Sequence, residues 1–462
     1  MINFFYRTSE WFKSQIKQIQ NTNLKILKHK INKLILYFVI FILAFIFFPL
    51  FLIVRFLSRF ILIRFANLDS TRIGHFANDV NMYLSTVEKK AKFQYDIFYL
   101  EKPVCNNALL KIFKRHINVV PEFLIRPFIL LNRVKFLGNP KHIIEVNPFL
   151  DLYDSRDKDE IFRNTGKTVV KQADDLRDRD IKSEKKINYF NQKDIEYGNS
   201  FLKDLGLSKD DKYVCLLCRD EAYTQDLFKN SYNLEYETEG DKGTFRNANI
   251  ENFRLASEYL TELGYYVIRM GHKNSKPFLT DNKKIIDYAR LEKKNEFMDI
   301  FLSSHCSFFL TTGAGLDVVA SSICDLPIII VNFAQAGFTR SNNKKQITIY
   351  RHFKKKNDLK NLTLSEIFDL NLGDAEHSDS FSEKQIELIE NTPEEIKEAV
   401  MDMLELMKNN FIVRDEYKDL QSIFWNHFFK KINEYDLHFL HADFVKSHIG
   451  FSFLEKNKNF LE

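Results

Sequence analysis

The sequence predicts an α/β protein with two Rossmann-like domains, preceded by a hydrophobic membrane helix. Three observations support this prediction. A 21-residue apolar run lies near the start of the 462-residue chain, and two series of alternating strand and helix patterns follow it. A stretch dense in charges of both signs separates the two series. Alternating strands and helices imply parallel sheets that are covered by helices on both faces.

The apolar run extends from Leu34 to Val54 and contains no charged residue. As a helix, it is long enough to cross a hydrocarbon core of about 30 Å. It is too long, and too far from the N-terminus, for a cleavable signal peptide. Pro49 and basic flanks also allow a hairpin or a helix in the membrane plane. The flanking basic residues are Lys25, Lys28, Lys30 and Lys33 before the run, and Arg55, Arg59 and Arg64 after it. We expect residues 1–60 to form a basic segment and membrane anchor.

The first α/β series predicts an N-terminal domain over 61–205. Its strands are "RFILIRFAN" and "YDIFYL", with "INVVPEFLI" as a further extended segment. A helix is indicated by the helical spacing of Phe76, Val80, Leu84 and Val87, and another by "NNALLKIFKRH". Residues 151–190 are dense in charges of both signs and poor in large apolar residues, so we expect a solvated connection there.

The second series predicts a C-terminal Rossmann-like domain over 206–410. It begins with the strand "KYVCLLCRD" and continues with the amphipathic helix "NIENFRLASEYLTEL" and the strands "YYVIRMG" and "KIIDYA". The helix "FMDIFLSSH" leads into the strand "SFFLTT", and "TPEEIKEAVMDMLELMKN" is a helix with a Thr cap and an acidic first turn. We expect a helical extension over 411–462.

Charge and cysteine content exclude several classes of function. A net charge of +5 is small for 462 residues and gives little support for nucleic-acid binding. The five cysteines are an odd, scattered set, which argues against a disulfide framework. Cys215 and Cys218 form a C-x-x-C inside a strand pattern without a second pair at zinc spacing, so we expect core cysteines and no metal site.

The stretch "FFLTTGAGLDVVASSICDLPIIIVNF" places Gly313 and Gly315 between a strand and a helix expected from Leu316 to Ile323. Amide groups at a helix start favour phosphate, and glycine lets the backbone approach a ligand. Open α/β sheets bind ligands at the carboxyl ends of their strands. However, Val318 stands where G-x-G-x-x-G needs its third glycine, and a P-loop Lys is absent. A tight strand-to-helix turn explains the glycines equally well.

Other polar residues follow predicted strands at the same sheet edge. Arg219 and Asp220 end the first strand of the second domain, and Arg269, Gly271 and His272 end the next one. Before the amphipathic helix, Arg246 offers a guanidinium suited to a diphosphate, while Asn247 or Asn249 is placed to cap the helix.

The first domain offers Arg72 and His75 in its first strand-to-helix loop. A histidine there is suited to general-base chemistry, although a capping or packing role accounts for it equally well. Because the chain has no G-x-S-x-G motif, a serine hydrolase is not indicated. It also has no H-E-x-x-H motif, and we expect no required divalent ion.

Several stretches together resemble a family of bacterial glycosyltransferases met among surface-polysaccharide biosynthesis proteins. They are "TRIGHFANDVNMYL", "VCLLCRDEAY", "FRNANIENFRLASEYLTELGYYVIRMG", "DIFLSSHCSFFLTTGAGLDVVASSICDLPIIIVNF" and "HIGFSFLEKN". The resemblance extends from about Arg72 to the C-terminus, and its most specific part is 245–271. It implies a GT-B architecture, in which two Rossmann-like domains face a cleft and the C-terminal one holds the diphosphate of a nucleotide sugar.

The resemblance also implies roles for individual residues. Gly313, Ala314 and Gly315 would bind the donor, with Arg246, Arg269 and Thr312 near the same phosphates, and Arg72 and His75 would face the acceptor. Arg219, Asn247 and Gly271, which are predicted near the same sheet edge, complete the expected set of donor- or phosphate-binding residues. This set is Arg219, Arg246, Asn247, Arg269, Gly271, Thr312, Gly313, Ala314 and Gly315. The catalytic candidates are His75, Arg72 and, as a less favoured base, Asp220.

The function expected from these residues is sugar transfer from a nucleotide-diphosphate sugar to a glycan or lipid-linked acceptor. The enzyme would act at the bacterial inner membrane with its catalytic domains on the cytoplasmic side. Its donor would be a substrate, and no further cofactor, metal or nucleic acid is expected. Two alternatives remain: a sugar-nucleotide epimerase or other group transferase on the same fold, and a non-catalytic assembly protein tethered to the membrane.

Overall fold

The computed structural model describes most of the chain outside the N-terminal segment and several loops. The described residues are 24–86, 93–134, 136–146, 168–170, 187–222, 244–272, 275–341, 343–357, 360–375, 377–434 and 445–461. Most of the charged connection predicted over 151–190 lies outside them.

The apolar run forms two helices, α1 (Leu24–Ile46) and α2 (Phe48–Leu57), with a bend of 61° between Leu34–Ile46 and α2. Pro49 lies in the first turn of α2, where its ring and missing N–H are incompatible with a continuous helix. The single membrane helix predicted from the sequence is therefore wrong. No described helix is by itself both long and apolar enough to cross a membrane, whereas this bent pair together meets both criteria.

The first sheet is parallel and doubly wound. Strand β1 pairs with β2 from Leu62↔Gln94 to Leu68↔Leu100, and β2 pairs with β3. On the other side of β1, Phe65 forms a parallel bridge with Ile143, next to β4, which pairs with β5. The spatial order is therefore β5-β4-β1-β2-β3. The elements are β1 (Leu62–Leu68), α3 (Ile73–Thr86), β2 (Gln94–Leu100), α4 (Asn107–Phe113), β3 (Asn118–Val119), α5 (Glu122–Arg133), β4 (Ile144–Val146) and β5 (Thr168–Val170).

The second sheet has seven strands in the order β14-β11-β10-β9-β6-β7-β8, and all of its pairings are parallel. The chain starts in the middle with β6, adds β7 and β8 on one side, and returns to add β9 on the other. This reversal creates a topological switch point between β6 and β9. The strands are β6 (Tyr213–Leu217), β7 (Tyr266–Arg269), β8 (Ile285–Ile286), β9 (Phe309–Thr311), β10 (Ile328–Phe333), β11 (Gln346–Tyr350) and β14 (His448–Ile449).

Helices cover both faces of this sheet, and a short antiparallel pair lies beside it. The helices are α6 (Gln192–Asp204), α7 (Arg254–Glu262), α8 (Glu296–His305), α9 (Leu364–Asp369), α10 (Asp379–Ser382), α11 (Pro393–Lys408), α12 (Asp415–Glu434) and α13 (Phe451–Lys456), and the pair is β12 (His352–Lys355) with β13 (Ile386–Ile389). A capping box of Thr392 and Glu395 starts α11. The segment 411–462 contributes α12 and α13, and it also adds β14 to the sheet edge. The two parallel α/β units predicted from the sequence are confirmed.

The two units pack directly against each other. Side chains of α3, including Phe76 and Val80, share one apolar cluster with Val318 and Val319 of the second unit. The Asn81 side chain donates to the Ser322 carbonyl at 2.6 Å, and the backbone N–H of Asn107 donates to Glu296 at 2.8 Å. Apolar burial of this kind restricts relative motion of the two units.

Candidate functional site

The loops after β6 and β9 meet at the switch point of the second sheet. The backbone N–H of Arg219 donates to the Thr312 hydroxyl at 2.9 Å, and the backbone N–H of Thr312 donates to the Leu217 carbonyl at 3.2 Å. Thr312 is buried, and Asp220 follows Arg219 at the open edge. The structure thus brings together Arg219, Asp220 and Thr312, which the sequence placed at the carboxyl ends of two different strands.

The glycine turn after Thr312 is held by a carboxylate that the sequence analysis did not single out. Asp317 accepts from the backbone N–H of Ala314 at 2.7 Å and from the Thr311 hydroxyl at 3.0 Å. The N–H of Gly313 donates to the Thr311 hydroxyl at 3.0 Å, and the φ of +78° at Gly313 favours glycine. Two amides of the turn are therefore bonded within it. The chain continues as a π-helical turn, Val319–Ile323, where a short α-helix was expected.

Burial and neighbouring charges act in opposite directions on Asp317. Desolvation raises the pKa of this carboxyl, while the positive charges of Arg340 and Arg246 lower it. Both arginines therefore lie close enough to the turn for their charge to be felt there. Arg340 follows β10 and was not among the residues expected from the sequence.

Gly315 touches the first unit at Gly74. A Cβ on Gly315 would lie 2.9 Å from the Gly74 nitrogen, and a Cβ on Gly74 would lie 2.9 Å from the Gly315 Cα. Because real Cβ atoms do not approach backbone atoms so closely, both positions require glycine in this arrangement. The absence of a side chain at Gly74 and Gly315 therefore lets the backbones of the two units touch each other.

A cavity of about 320 Å³ opens at the carboxyl ends of β6 and β7. It is lined by Cys218, Asp220, Asn247, Ala248, Asn249, Ile250, Arg269, Lys276 and Glu390. Lys276 is exposed at the rim, whereas Arg269 is 1% exposed. The cavity therefore combines two cations, two carboxylates and amide groups with an apolar wall.

Arg269 is a buried cation with an unused donor. Its Nη1 donates to the two Asp287 carboxylate oxygens at 3.0 and 3.2 Å, and its Nη2 lies 3.9 Å from Asp220. Its Nε–H has no hydrogen-bond partner among the described residues. Burying an unpaired donor is costly unless a ligand or water completes it. Gly271, with φ +137°, turns the chain just after this side chain.

The loop from Arg246 to Asn249 forms another wall of the cavity. Asn247 accepts from the Arg219 Nε at 3.3 Å through its side chain, and its carbonyl accepts from the guanidinium of Arg351. Asn249 caps the 3₁₀ turn Ile250–Phe253 that precedes α7, so of the two asparagines it is the one with the capping role. Asn247 instead orients Arg219.

In the first unit, His75 lies in the first turn of α3 with Asp69 beside it. The His75 Nδ1 and an Asp69 oxygen are 3.5 Å apart, and the His75 side chain is 41% exposed. Desolvation lowers the pKa of His75, Asp69 raises it, and Arg72 lowers it. The net effect lowers the pKa of His75 from its ordinary value, which favours the neutral imidazole, and the Nδ1 atom faces a carboxylate. Asp69 also accepts from the Thr71 hydroxyl at 2.6 Å.

The residues that sequence reasoning missed come from two kinds of position. Asp69 directly follows β1 and Asp317 directly follows the glycine turn, so the switch-point rule offered a signal for both. Lys276 and Glu390 reach the cavity from distant loops, and no local pattern marks them. Cys215 and Cys218 are buried and unbridged, as expected of core cysteines. Among the described residues, no three His, Cys, Asp or Glu side chains converge on a common point.

Comparison with known proteins gives matches among solved structures alone. No family model matches the chain, and no curated protein matches it significantly. Similar solved structures include the ADP-heptose LPS heptosyltransferase II of E. coli, at 12% identity and TM-score 0.39, covering 75% of this chain and 100% of that chain. A glycosyl transferase family 9 protein from Veillonella parvula has 12% identity and TM-score 0.38, with 74% and 96% covered. E. coli heptosyltransferase WaaC, with ADP, has 12% identity and TM-score 0.30, with 66% and 97% covered.

These three solved structures are of glycosyltransferases. Their identities and TM-scores are too low to assign an activity or a substrate to this chain. Its function is therefore argued from its own residues.

Proposed function

We propose that the chain is a GT-B glycosyltransferase that transfers a sugar from a nucleotide-diphosphate sugar to a glycan or lipid-linked acceptor in bacterial surface-polysaccharide synthesis. One observation supports this most directly. At the Gly74–Gly315 contact, the His75–Asp69 pair of the first unit adjoins the switch-point loops of the second, whose edge carries a cavity with a buried arginine. An acid–base group on one side and an anion-binding edge on the other are what such a transfer requires.

In this proposal the donor diphosphate binds at the carboxyl edge of β6, β7 and β9. Arg219, Arg246, Arg269 and Lys276 supply positive charge there, and guanidinium groups match phosphate oxygens well. Because Asp317 already accepts from the Ala314 amide, the side chains contribute more to diphosphate binding than the amides of Gly313 and Ala314. Thr312, Gly315, Asn247 and Gly271 shape the site around these cations.

The chemical step follows from the position of His75. The acceptor hydroxyl gives its proton to the free ring nitrogen of His75 while its oxygen bonds to the anomeric carbon of the sugar. The bond from that carbon to the phosphate oxygen breaks, and its electron pair leaves with the nucleotide diphosphate. Asp69 holds the Nδ1 side and stabilises the imidazolium, and the arginines stabilise the leaving diphosphate. Arg72 would orient the acceptor, and Asp220 is the alternative base.

We further place the enzyme at the bacterial inner membrane with both α/β units on the cytoplasmic side. The apolar run with basic flanks supports contact with a membrane. A lipid-linked acceptor would be reached from that position.

Nucleotide binding provides the first test. The unfolding temperature of the full chain should rise with UDP, GDP or ADP, and Lys276→Ala should weaken that response several-fold, while the exposed Lys283→Ala should not. Turnover of nucleotide sugars is measured next, with and without an acceptor. Epimerisation without an acceptor would favour the group-transferase alternative, and no response to any nucleotide diphosphate would favour the assembly protein.

A further inference from the structure

The bent helix pair is attached to the first α/β unit instead of standing apart from it. Ala44 of α1 and Phe51 and Val54 of α2 are buried in a cluster with residues of α5 and with Phe65 of β1. Phe128 of α5 is central to it: its ring centroid lies 5.9 Å from that of Phe47 and 5.2 Å from that of Phe65. The helix pair thus shares a small core with the domain.

The outward face of the helix pair is apolar and uncovered. Five of its side chains, and Phe60 just after α2, are more than 60% exposed; the five are Leu34, Phe38, Phe45, Ile46 and Phe56. Exposed apolar patches of this size on a monomer mark an interaction surface. Neither arm is long enough to cross a bilayer alone, because Leu34–Ile46 and α2 span about 20 Å and about 15 Å at 1.5 Å per residue.

The exposed apolar surface continues onto the α/β unit itself. Phe123 and Leu130 share a face of α5 with Arg126, whose guanidinium lies 4.8 Å from the ring centroid of Tyr37 in α1. Phe136, just after α5, is 89% exposed. The exposed side chains of Phe123 and Leu130, here called the Phe123–Leu130 row, therefore lie beside α1 and extend its apolar surface.

The charge of this region specifies the partner. From residue 11 to residue 68 the sequence has no Asp or Glu and has nine Lys or Arg, one of which, Arg64, is paired internally with Asp96. Exposed apolar side chains combined with excess positive charge match a leaflet that carries anionic headgroups. An acidic protein partner would meet the same charge but would not need so continuous an apolar face.

We propose that α1, α2, the Phe123–Leu130 row and Phe136 form one surface that inserts in plane into a single anionic leaflet, without crossing the bilayer. The α/β unit itself is then part of the membrane contact. This goes beyond the proposed sugar transfer and does not depend on it, since binding to vesicles requires no substrate.

Vesicle flotation tests the surface. The full chain should float with phosphatidylglycerol-containing vesicles, and more weakly with pure phosphatidylcholine. The double variant Phe123→Glu/Phe136→Glu should reduce the bound fraction about tenfold. The matched variant Leu279→Glu/Ile412→Glu, at exposed apolar positions of the second unit, should float like wild type. Unchanged flotation of the α5 variant, or equal binding to both lipids, would contradict the proposal.

Two further measurements do not depend on that variant. Phe136→Trp should become quenchable by brominated lipid in bound protein, and the absence of quenching would overturn the contribution of Phe136. In inside-out vesicles from expressing cells, an impermeant maleimide should label both Asn32→Cys and Ser58→Cys before lysis, above the background of the unsubstituted chain. Labelling of Asn32→Cys only after detergent is added would show that the pair crosses the bilayer.

Discussion

Gly74 and Gly315 meet backbone to backbone, 241 residues apart in sequence, and join the segment after β1 of the first α/β unit to the loop after β9 of the second. A Cβ on either residue would come within 2.9 Å of a backbone atom of the other. This contact fixes how closely the acid–base pair at His75 approaches the glycine turn. It also makes a glycine necessary at Gly74, in the first turn of a helix, where a side chain is otherwise tolerated.

Gly74→Ala tests this contact through the sign of its effect. In an unobstructed helix the change would stabilise the protein by up to about 1 kcal/mol. Here we expect a loss of about 1–3 kcal/mol in the free energy of unfolding, because the methyl group meets the Gly315 backbone. Chemical denaturation of Gly74→Ala, Gly315→Ala and the double variant measures this loss in unfolding free energy. The double variant should lose less than the sum of the single variants, and stabilisation by Gly74→Ala would refute the contact.

Arg64 and Asp96 form a buried ion pair across β1 and β2. The guanidinium donates to both carboxylate oxygens at 2.7 Å, and the Tyr83 hydroxyl donates to Asp96 at 2.5 Å. Arg64→Met leaves Asp96 buried and uncompensated, so we expect a loss of about 3–5 kcal/mol in unfolding free energy. Arg64→Met/Asp96→Leu should recover part of that loss. A loss below about 1 kcal/mol in the single variant would show that the pair is not buried in this way.

The buried carboxyl group of Asp402 should make the unfolding free energy depend on pH between pH 4 and pH 6. Burial raises the pKa of this carboxyl from 3.8 to about 6, although Ser452 donates to it. In that window the folded state holds a proton that the unfolded state has lost, so the Asp402 contribution to stability falls as pH rises. The unfolding free energy of wild type, relative to Asp402→Asn, should decrease by up to about 3 kcal/mol from pH 4 to pH 6. A pH-independent difference would contradict the raised pKa.

If His75 is the general base, the rate of sugar transfer should fall at acidic pH as His75 becomes protonated, and this acid limb of the pH–rate profile reports the pKa of His75. Burial lowers this pKa below 6.5, and the Asp69 charge opposes that effect. Asp69→Asn should therefore move the acid limb to lower pH while slowing turnover, because the imidazole loses its orienting carboxylate. His75→Ala should reduce turnover by about 10²–10⁴-fold and leave nucleotide binding intact. The pH–rate profiles of these variants provide the measurement; an unmoved limb in Asp69→Asn would exclude His75.

The sequence was sufficient to predict the two parallel α/β units and to place Arg219 and Thr312 at one sheet edge, because alternating strand and helix patterns can be recognised locally and the carboxyl ends of parallel strands share an edge. The Gly74–Gly315 contact was not predictable, since no periodicity encodes which loops of two separate sheets will touch. Likewise, Pro49 marked a break in the apolar run, but its 61° bend is stabilised by packing on Phe128, in a different element. Asp317 had a recognisable position but a role that only its bonds to Ala314 and Thr311 reveal.

The internal carboxylate of the glycine turn has a thermodynamic consequence. Asp317 satisfies the Ala314 amide and the Thr311 hydroxyl while itself buried, so the turn reaches its final conformation when the chain folds. The conformational entropy of that loop is then lost during folding and not during association. A ligand that arrives beside it encounters a preorganised wall, and its affinity reflects the arginines around the turn with little cost for ordering the turn itself.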